Sequence, residues 1–300
     1  MKKLFAYLIA LSVLLPTLMV AANSTPQKPP KITRPSKPTS KPNVKPRTPA
    51  NRSHRQSSQS FSATSQRVNQ EPLTNRTFTA NGVNFTMVGV QGGTFQMGSN
   101  DGGAYSNQKP IHSVTLSSYY IGQTEVTQAL WKAVMGSNPS NFKGDNLPVE
   151  EVSRYDCQSF ITKLNQLTGE HFRLPTEAEW EFAAKGGRQS RGFKYSGSNT
   201  IGDVAWYDDN SGSKTHPVAT KSPNELGIYD MSGNVLEWCQ DWEGNYSSSS
   251  QTNPTGPSSG SFRVIRGGDW LNNAACCRSA FRGCGTPDGR GYNLGLRLAL

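Results

Sequence analysis

The chain has 300 residues and a formal net charge of +10, from 31 lysines and arginines against 21 acidic residues. The excess is local: residues 23–80 hold eleven of the cations and a single acid, Glu71, whereas residues 81–300 hold 18 basic and 20 acidic side chains. The folded part is therefore slightly acidic and no nucleic-acid partner is expected, while five cysteines (Cys157, Cys239, Cys276, Cys277 and Cys284) are too few for a stapled miniature scaffold and leave at least one unpaired.

The N-terminus reads Lys2-Lys3, then an apolar run from Leu4 to Val20 interrupted by Ser12 and Pro16, then Ala21 and Ala22. That order is a cleavable secretory signal over residues 1–22. A spanning helix wants about 20 uninterrupted apolar residues, and Pro16 breaks this run. No later segment is long and apolar enough to cross a bilayer, so no transmembrane segment is expected in the mature form. Residues 23–80 carry nine prolines and no aromatic before Phe61. Such a stretch cannot bury enough apolar surface to offset its ordering entropy. The pairs Lys37-Pro38, Lys41-Pro42 and Lys45-Pro46 predict an extended, self-repelling spacer. The expected product is an exported protein, periplasmic, cell-surface or extracellular, with a disordered tether over 23–80 and one domain over 81–300. Its partner would be an exported protein or envelope component.

Within the domain, Val83 to Val88 alternates, Gly92-Gly93 reads as a turn feeding a strand through Met97, and Ser113 to Leu116 alternates again. Thr127 to Met135 reads as a short helix ended by Gly136. Ser153 is an N-cap for a helix whose buried face holds Cys157, Phe160, Ile161, Leu164 and Leu167, with Gly169 as its stop. Thr176 and Glu179 form a capping box for a third helix, ended by Gly186-Gly187. Beyond residue 187 the chain is rich in Gly, Asn, Ser and Asp and predicts loops and short strands. Loops on that scale need ties, such as ions, disulfides or stacked aromatics.

Six blocks then stand in order: Gly93-Thr94-Phe95-Gln96-Met97-Gly98, Glu125-Val126-Thr127, Arg173 to Trp180, Gly233-Asn234-Val235-Leu236-Glu237-Trp238, Arg266-Gly267-Gly268 and Asn293-Leu294-Gly295-Leu296-Arg297. In this series the domain resembles the formylglycine-generating enzyme, or sulfatase-modifying factor, family. The resemblance implies an α+β fold, irregular and loop-rich, related to C-type-lectin-like domains. It does not by itself assign a reaction, because fold and activity are separable.

The family's oxidases bind Cu⁺ through two cysteines five residues apart, and soft thiolates suit that ion. The corresponding positions here are Asn272 and Cys277, so Cys277 is the one surviving candidate catalytic residue and Cu⁺ is not expected to bind. Asp269 stands where the family has Ser, and Leu236 where its enzymes have Trp. Adjacent residues in an extended chain point to opposite faces, so Cys276 does not easily replace the missing ligand. Cys276, Cys284 or Cys239 could instead pair with Cys277 in a disulfide. No histidine among His112, His171 and His216 matches a metal-ligand spacing.

The resemblance also implies Ca²⁺. Asp230, Gly233, Val235 and Glu237 match one family calcium site, with carboxylates at the ends and backbone carbonyls between. Asp203, Val204, Asn210 and Gly212 match a second, with Asp203 in place of the usual Asn. Hard oxygen donors suit Ca²⁺. The alternative is that Asp230 and Glu237 cap turns or pair with arginines such as Arg266 and Arg297. The expected function is a non-catalytic binding or scaffolding module stabilised by calcium. The alternatives are a copper-dependent oxidase converting substrate cysteine to formylglycine, or another maturation factor.

Overall fold

A computed structural model of the protein describes residues 73–300. The signal peptide expected over 1–22, and the tether expected over 23–80 apart from its end, lie outside the described residues. That end is folded. Strand β1 (Arg76–Ala80) pairs antiparallel with β2 (Val83–Val90) in the register Ala80↔Val83 to Arg76↔Met87. Asn81 and Gly82 turn the chain with φ of 46° and 83°, the conformation an Asn-Gly hairpin supplies. Assigning residues 76–80 to the tether is therefore incorrect. Phe78 packs edge-on against Phe172 at 5.1 Å and Arg76 pairs with Glu170 at 2.7 Å, ties that average composition cannot register.

Strand β5 (Tyr119–Gly122) joins the other edge of β2 to give the sheet β1-β2-β5. A second sheet, β3-β4-β7, pairs β3 (Gly93–Met97) antiparallel with β4 (His112–Leu116) and β4 parallel with the two-residue β7 (Gln251–Thr252).

Three helices follow their caps. In α1 (Gln128–Met135) the Thr127 side chain accepts from the Leu130 N–H, and Gly136 closes the helix. In α2 (Arg154–Thr168) Ser153 and Asp156 form the capping box. Its buried face is Cys157, Phe160, Ile161 and Leu164, but Leu167 in the last turn remains 48% exposed, against expectation. In α3 (Glu177–Ala184) Thr176 and Glu179 exchange the two cap bonds, and every residue of the helix is buried. Its three glutamates therefore need partners inside the protein. A short helix, α4 (Ile201–Val204), lies in the loop-rich half.

The third sheet, in the order β10-β6-β8-β9, carries the site. It consists of β6 (Leu236–Trp242), β8 (Arg263–Arg266), β9 (Gly283–Gly285) and β10 (Leu294–Gly295). One core cluster gathers Phe160, Leu164, Trp131, Trp238 and Leu294. Another gathers Trp180, Phe182, Ile121 and Val264 around α3. All five cysteines are free, so neither Cys239, Cys276 nor Cys284 staples Cys277. The ties that hold the loops are instead buried ion pairs (Arg266–Glu181, Arg282–Glu177, Arg297–Glu237) and side-chain bonds to backbone, such as Ser211 Oγ to Trp270 O at 2.7 Å.

Candidate functional site

Strand β8 ends in Arg266, which is fully buried and reaches the Glu181 carboxylate and the Phe281 carbonyl. Gly267 and Gly268 then turn the chain at φ of 102° and 70°. A Cβ at Gly268 would meet Cys276 O at 2.7 Å and Cys277 Sγ at 2.8 Å. The Arg-Gly-Gly block therefore exists to bring the 269–277 loop against the end of the sheet.

That loop folds back on itself through Asn272 N to Asp269 O at 3.0 Å, Cys276 N to Asn273 O at 3.0 Å and Cys277 N to Ala274 O at 3.3 Å. Asn272 offers its carbonyl to Asp208 N at 3.1 Å. Cys277 is wholly buried in a small cluster with Tyr195 and Val204, and its carbonyl accepts from Ser232 Oγ at 2.7 Å. Burial, then the charge of Asp269, pushes its thiol well above the ordinary cysteine range. Cys276 rises to about 11, mainly by burial. A copper site needs two accessible thiolates. The residues present do not fit that ion: Asn272 offers an amide, and Cys277 is a buried thiol beside a carboxylate.

Asp269 itself is fully buried, accepting from Leu271 N at 2.7 Å and Asn293 Nδ2 at 2.8 Å. Burial raises its carboxyl to about 7. Leu236, which replaces the family's Trp, is buried beside Leu294 in the β6–β10 pair and serves the core. Next to this loop a cavity of about 690 Å³ runs from Gly98–Gly103 past Lys185 and Lys194 to Ala275 and Arg278.

The first expected calcium set lies where β6 begins. Gly233 sits at φ of 82° with a Cβ position only 2.3 Å from Trp206 O, so no larger residue fits. Glu237 is fully buried; it accepts from Trp180 Nε1 at 2.6 Å and from the Arg297 guanidinium at 2.7–3.1 Å. Asp230, at φ of 58°, accepts from Ala219 N at 2.7 Å. Burial raises it to about 6. Arg297 thus pairs with Glu237, while Arg266 belongs to Glu181. Sequence reasoning missed Glu125 as a member of this site. It is fully desolvated, accepts from Asn234 Nδ2 at 3.0 Å and Val235 N at 3.2 Å, and is raised well above the carboxylate range by burial and by the charges of Asp230 and Glu237.

Glu125, Asp230 and Glu237 are thus three buried carboxylates within electrostatic reach of one guanidinium, and Glu237 is the one bonded to it. Carboxylate oxygens and backbone carbonyls such as those of Gly233 and Val235 are the class of hard donor that Ca²⁺ takes, but both Glu237 oxygens are already held by Arg297 and Trp180. Among the described residues no three His, Cys, Asp or Glu side chains converge at metal-binding distance, so a cation here would depend on the backbone carbonyls.

The second set is more dispersed in role. Asp203 is exposed at the end of α4 and accepts from Ser198 Oγ at 3.1 Å. Asn210 uses its side chain to tie its own loop, accepting from Tyr207 N at 2.9 Å and donating to Ala205 O at 3.0 Å. Val204 packs its side chain with Tyr195 and Cys277. Gly212, at φ of 61°, is exposed.

Known proteins share this sequence and fold. The chain is 37% identical over 251 residues to the chaperone protein LppX of Paenibacillus barcinonensis, covering 66% of this chain and 86% of that one. It is 30% identical over 282 residues to a formylglycine-generating enzyme of Streptomyces coelicolor, covering 71% and 88%. Among solved structures, Treponema denticola variable protein 1 superposes with a TM-score of 0.71 at 40% identity, covering 76% of this chain and 99% of that one. PvdO from Pseudomonas aeruginosa gives 0.59 at 27% identity, covering 71% and 93%. Residues 74–300 match the sulfatase-modifying factor enzyme 1-like domain, and the chain belongs to that family.

Proposed function

We propose that this protein is an exported, non-catalytic member of its family, a binding or scaffolding module held at the end of a basic tether. The observation that carries the reading is the state of the former copper pair: an amide at Asn272 and a buried, Asp269-shadowed thiol at Cys277. The 690 Å³ cavity beside that loop offers a partner segment a place to sit without any oxidation chemistry. Export is supported by the signal-like order of residues 1–22. A role toward an exported partner also agrees with the name of the LppX relative, a chaperone protein.

A second reading, oxidation of a substrate cysteine to formylglycine, is favoured by the formylglycine-generating relatives. Incubating the full chain with a peptide carrying Cys-x-Pro-x-Arg, copper and oxygen distinguishes the two. The expected result is no aldehyde product by mass spectrometry. Turnover that disappears in Cys277→Ala would establish the second reading.

Calcium belongs to the proposal as a stabiliser. Asp230 and Glu237 with the carbonyls of Gly233 and Val235 would hold it, and Asp203, Val204, Asn210 and Gly212 form a weaker second set. Ca²⁺ at a hundred times its Kd adds about 2.7 kcal/mol. A domain of this size should then melt roughly 5–10 °C higher in calcium than in chelator. Identical melting curves in the two conditions would remove calcium from the account.

A further inference from the structure

Asp241 and Trp242, at the end of β6, line a cavity of about 250 Å³ together with His112, Tyr246 and the Pro254–Pro257 segment. We propose that this cavity binds a primary alkylammonium group, the head of a free alkylamine or of a lysine side chain, with the Asp241 carboxylate as its counter-charge. The proposal concerns a different cavity from the one beside Cys277 and does not depend on the state of that thiol.

The first reason is an imbalance of charge. Each neighbouring carboxylate has its own cation: Glu177 has Arg282, Glu179 has Arg173, and Glu181 has Arg266 and Lys185. Asp241, only 4% exposed, has none within 4 Å among the described residues, and its one side-chain bond is from the Glu177 N–H to Oδ2 at 2.9 Å. Of the two arginines in electrostatic reach, Arg173 is held by Glu179, and Arg263 is turned to Gln240 O and stacks on the Trp242 ring at 3.5 Å. A buried carboxylate without a partner is costly, and the cost falls when a cation enters. Burial and the Glu177 charge push Asp241 up to about 7, in keeping with that missing counter-charge.

The second reason is the chemistry of the other polar groups. Arg282 has no donor to spare for an anion, since its nitrogens are taken by Glu177, Asn107 O and Gly244 O. Tyr246 donates its hydroxyl to Glu177 Oε1 at 3.1 Å. His112 turns Nδ1 to Pro110 O at 3.1 Å, an acceptor, so that nitrogen donates and Nε2 is the ring nitrogen left over. The site therefore offers acceptors and asks for a donor, and an ammonium brings three.

The third reason is shape. Gly256, at φ of 74°, lies over the carboxylate so closely that a Cβ there would stand 3.2 Å from Asp241 Oδ1. The cavity of about 250 Å³ has room for several waters. That suits a short alkyl chain with a charged end.

Titration of the full chain with n-butylamine and with Nα-acetyl-lysine methylamide, followed by backbone amide shifts, tests this. At least one amine should shift Gly244, Tyr246 and Gly256 saturably, while n-butanol of the same length should not. Asp241→Asn, which keeps an oxygen for the Glu177 N–H, should weaken amine binding roughly tenfold or more. Binding of butylamine alone identifies a free amine as the ligand, and binding of the lysine amide alone identifies a protein side chain; either supports the site. Equal binding by Asp241→Asn, equal binding of butanol, or no shift of those amides with either amine at tens of millimolar would overturn it.

Discussion

Replacing Arg297 with alanine is expected to destabilise the domain by about 3–5 kcal/mol, the usual cost of breaking a buried ion pair from one side. Arg297 is fully buried and its guanidinium contacts both oxygens of Glu237, Gly122 O at 2.9 Å and Tyr229 O at 2.9 Å. It is also the one cation that lowers the carboxyls of Glu125 and Asp230. Without it three buried carboxylates face one another, and two carbonyls lose their donors. Domains of this kind are stable by roughly 5–15 kcal/mol, so the loss is a large share of the total; Arg297→Lys keeps the charge but not the fork and should lose less. Denaturant midpoints by tryptophan fluorescence read both. An alanine variant within about 1 kcal/mol of the parent would mean the pair is not the tie described here.

Asp269→Asn should stabilise the protein, and by an amount that depends on pH. Burial holds the folded carboxyl at about 7, against 3.8 for an ordinary aspartate. The folded state therefore keeps a proton that the unfolded chain releases. This favours folding fully below about pH 4 and the advantage is lost as pH rises through about 7. At about 1.4 kcal/mol per unit, the difference amounts to a few kcal/mol at pH 8. Asparagine carries no charge to lose. Its amide can also donate to Asn293 Oδ1, which now lacks a partner, once the Asn293 side chain turns over. The variant should match the parent near pH 4 and exceed it at pH 8. Asp230, raised to about 6, and Glu150 and Asp241, raised to about 7, contribute with the same sign, so the parent should weaken across this window and the variant less steeply. A constant offset at every pH would contradict the assignment.

The helices were legible because their signals are local. Thr127, Ser153 and Thr176 each cap from one side chain to an N–H three residues on, and the 3.6-residue period of Cys157, Phe160, Ile161 and Leu164 needs no distant partner. Leu167 shows the limit: the period places it on the same face, but the last turn of α2 leaves it in solvent. The strand Arg76–Ala80 was hidden by a charge and proline average taken over many more residues than its five. Strands β7, β9 and β10 are two or three residues long and exist only through pairing with distant segments.

The site divides in the same way. Asn272, Cys277 and Asp269 were readable from one loop and its family pattern. Glu125 was not, because its partners Asn234 and Val235 lie 109 and 110 residues away. The pairing of Glu237 with Arg297 rather than Arg266 was likewise a matter of fold, since both arginines stood in the ordered blocks. Asp241 is identified only by what surrounds it: three neighbouring glutamates each with a cation, and itself with none among the described residues.

The proposed non-catalytic role requires that Asn272 and the buried Cys277 form no thiolate pair for Cu⁺. Titration of Cu⁺ under reducing conditions into the full chain and into Cys277→Ala, against a competing chelator, measures this directly. Indistinguishable curves and no tight stoichiometric site are expected. One equivalent of tightly held Cu⁺ in the parent, lost in Cys277→Ala, would contradict that role.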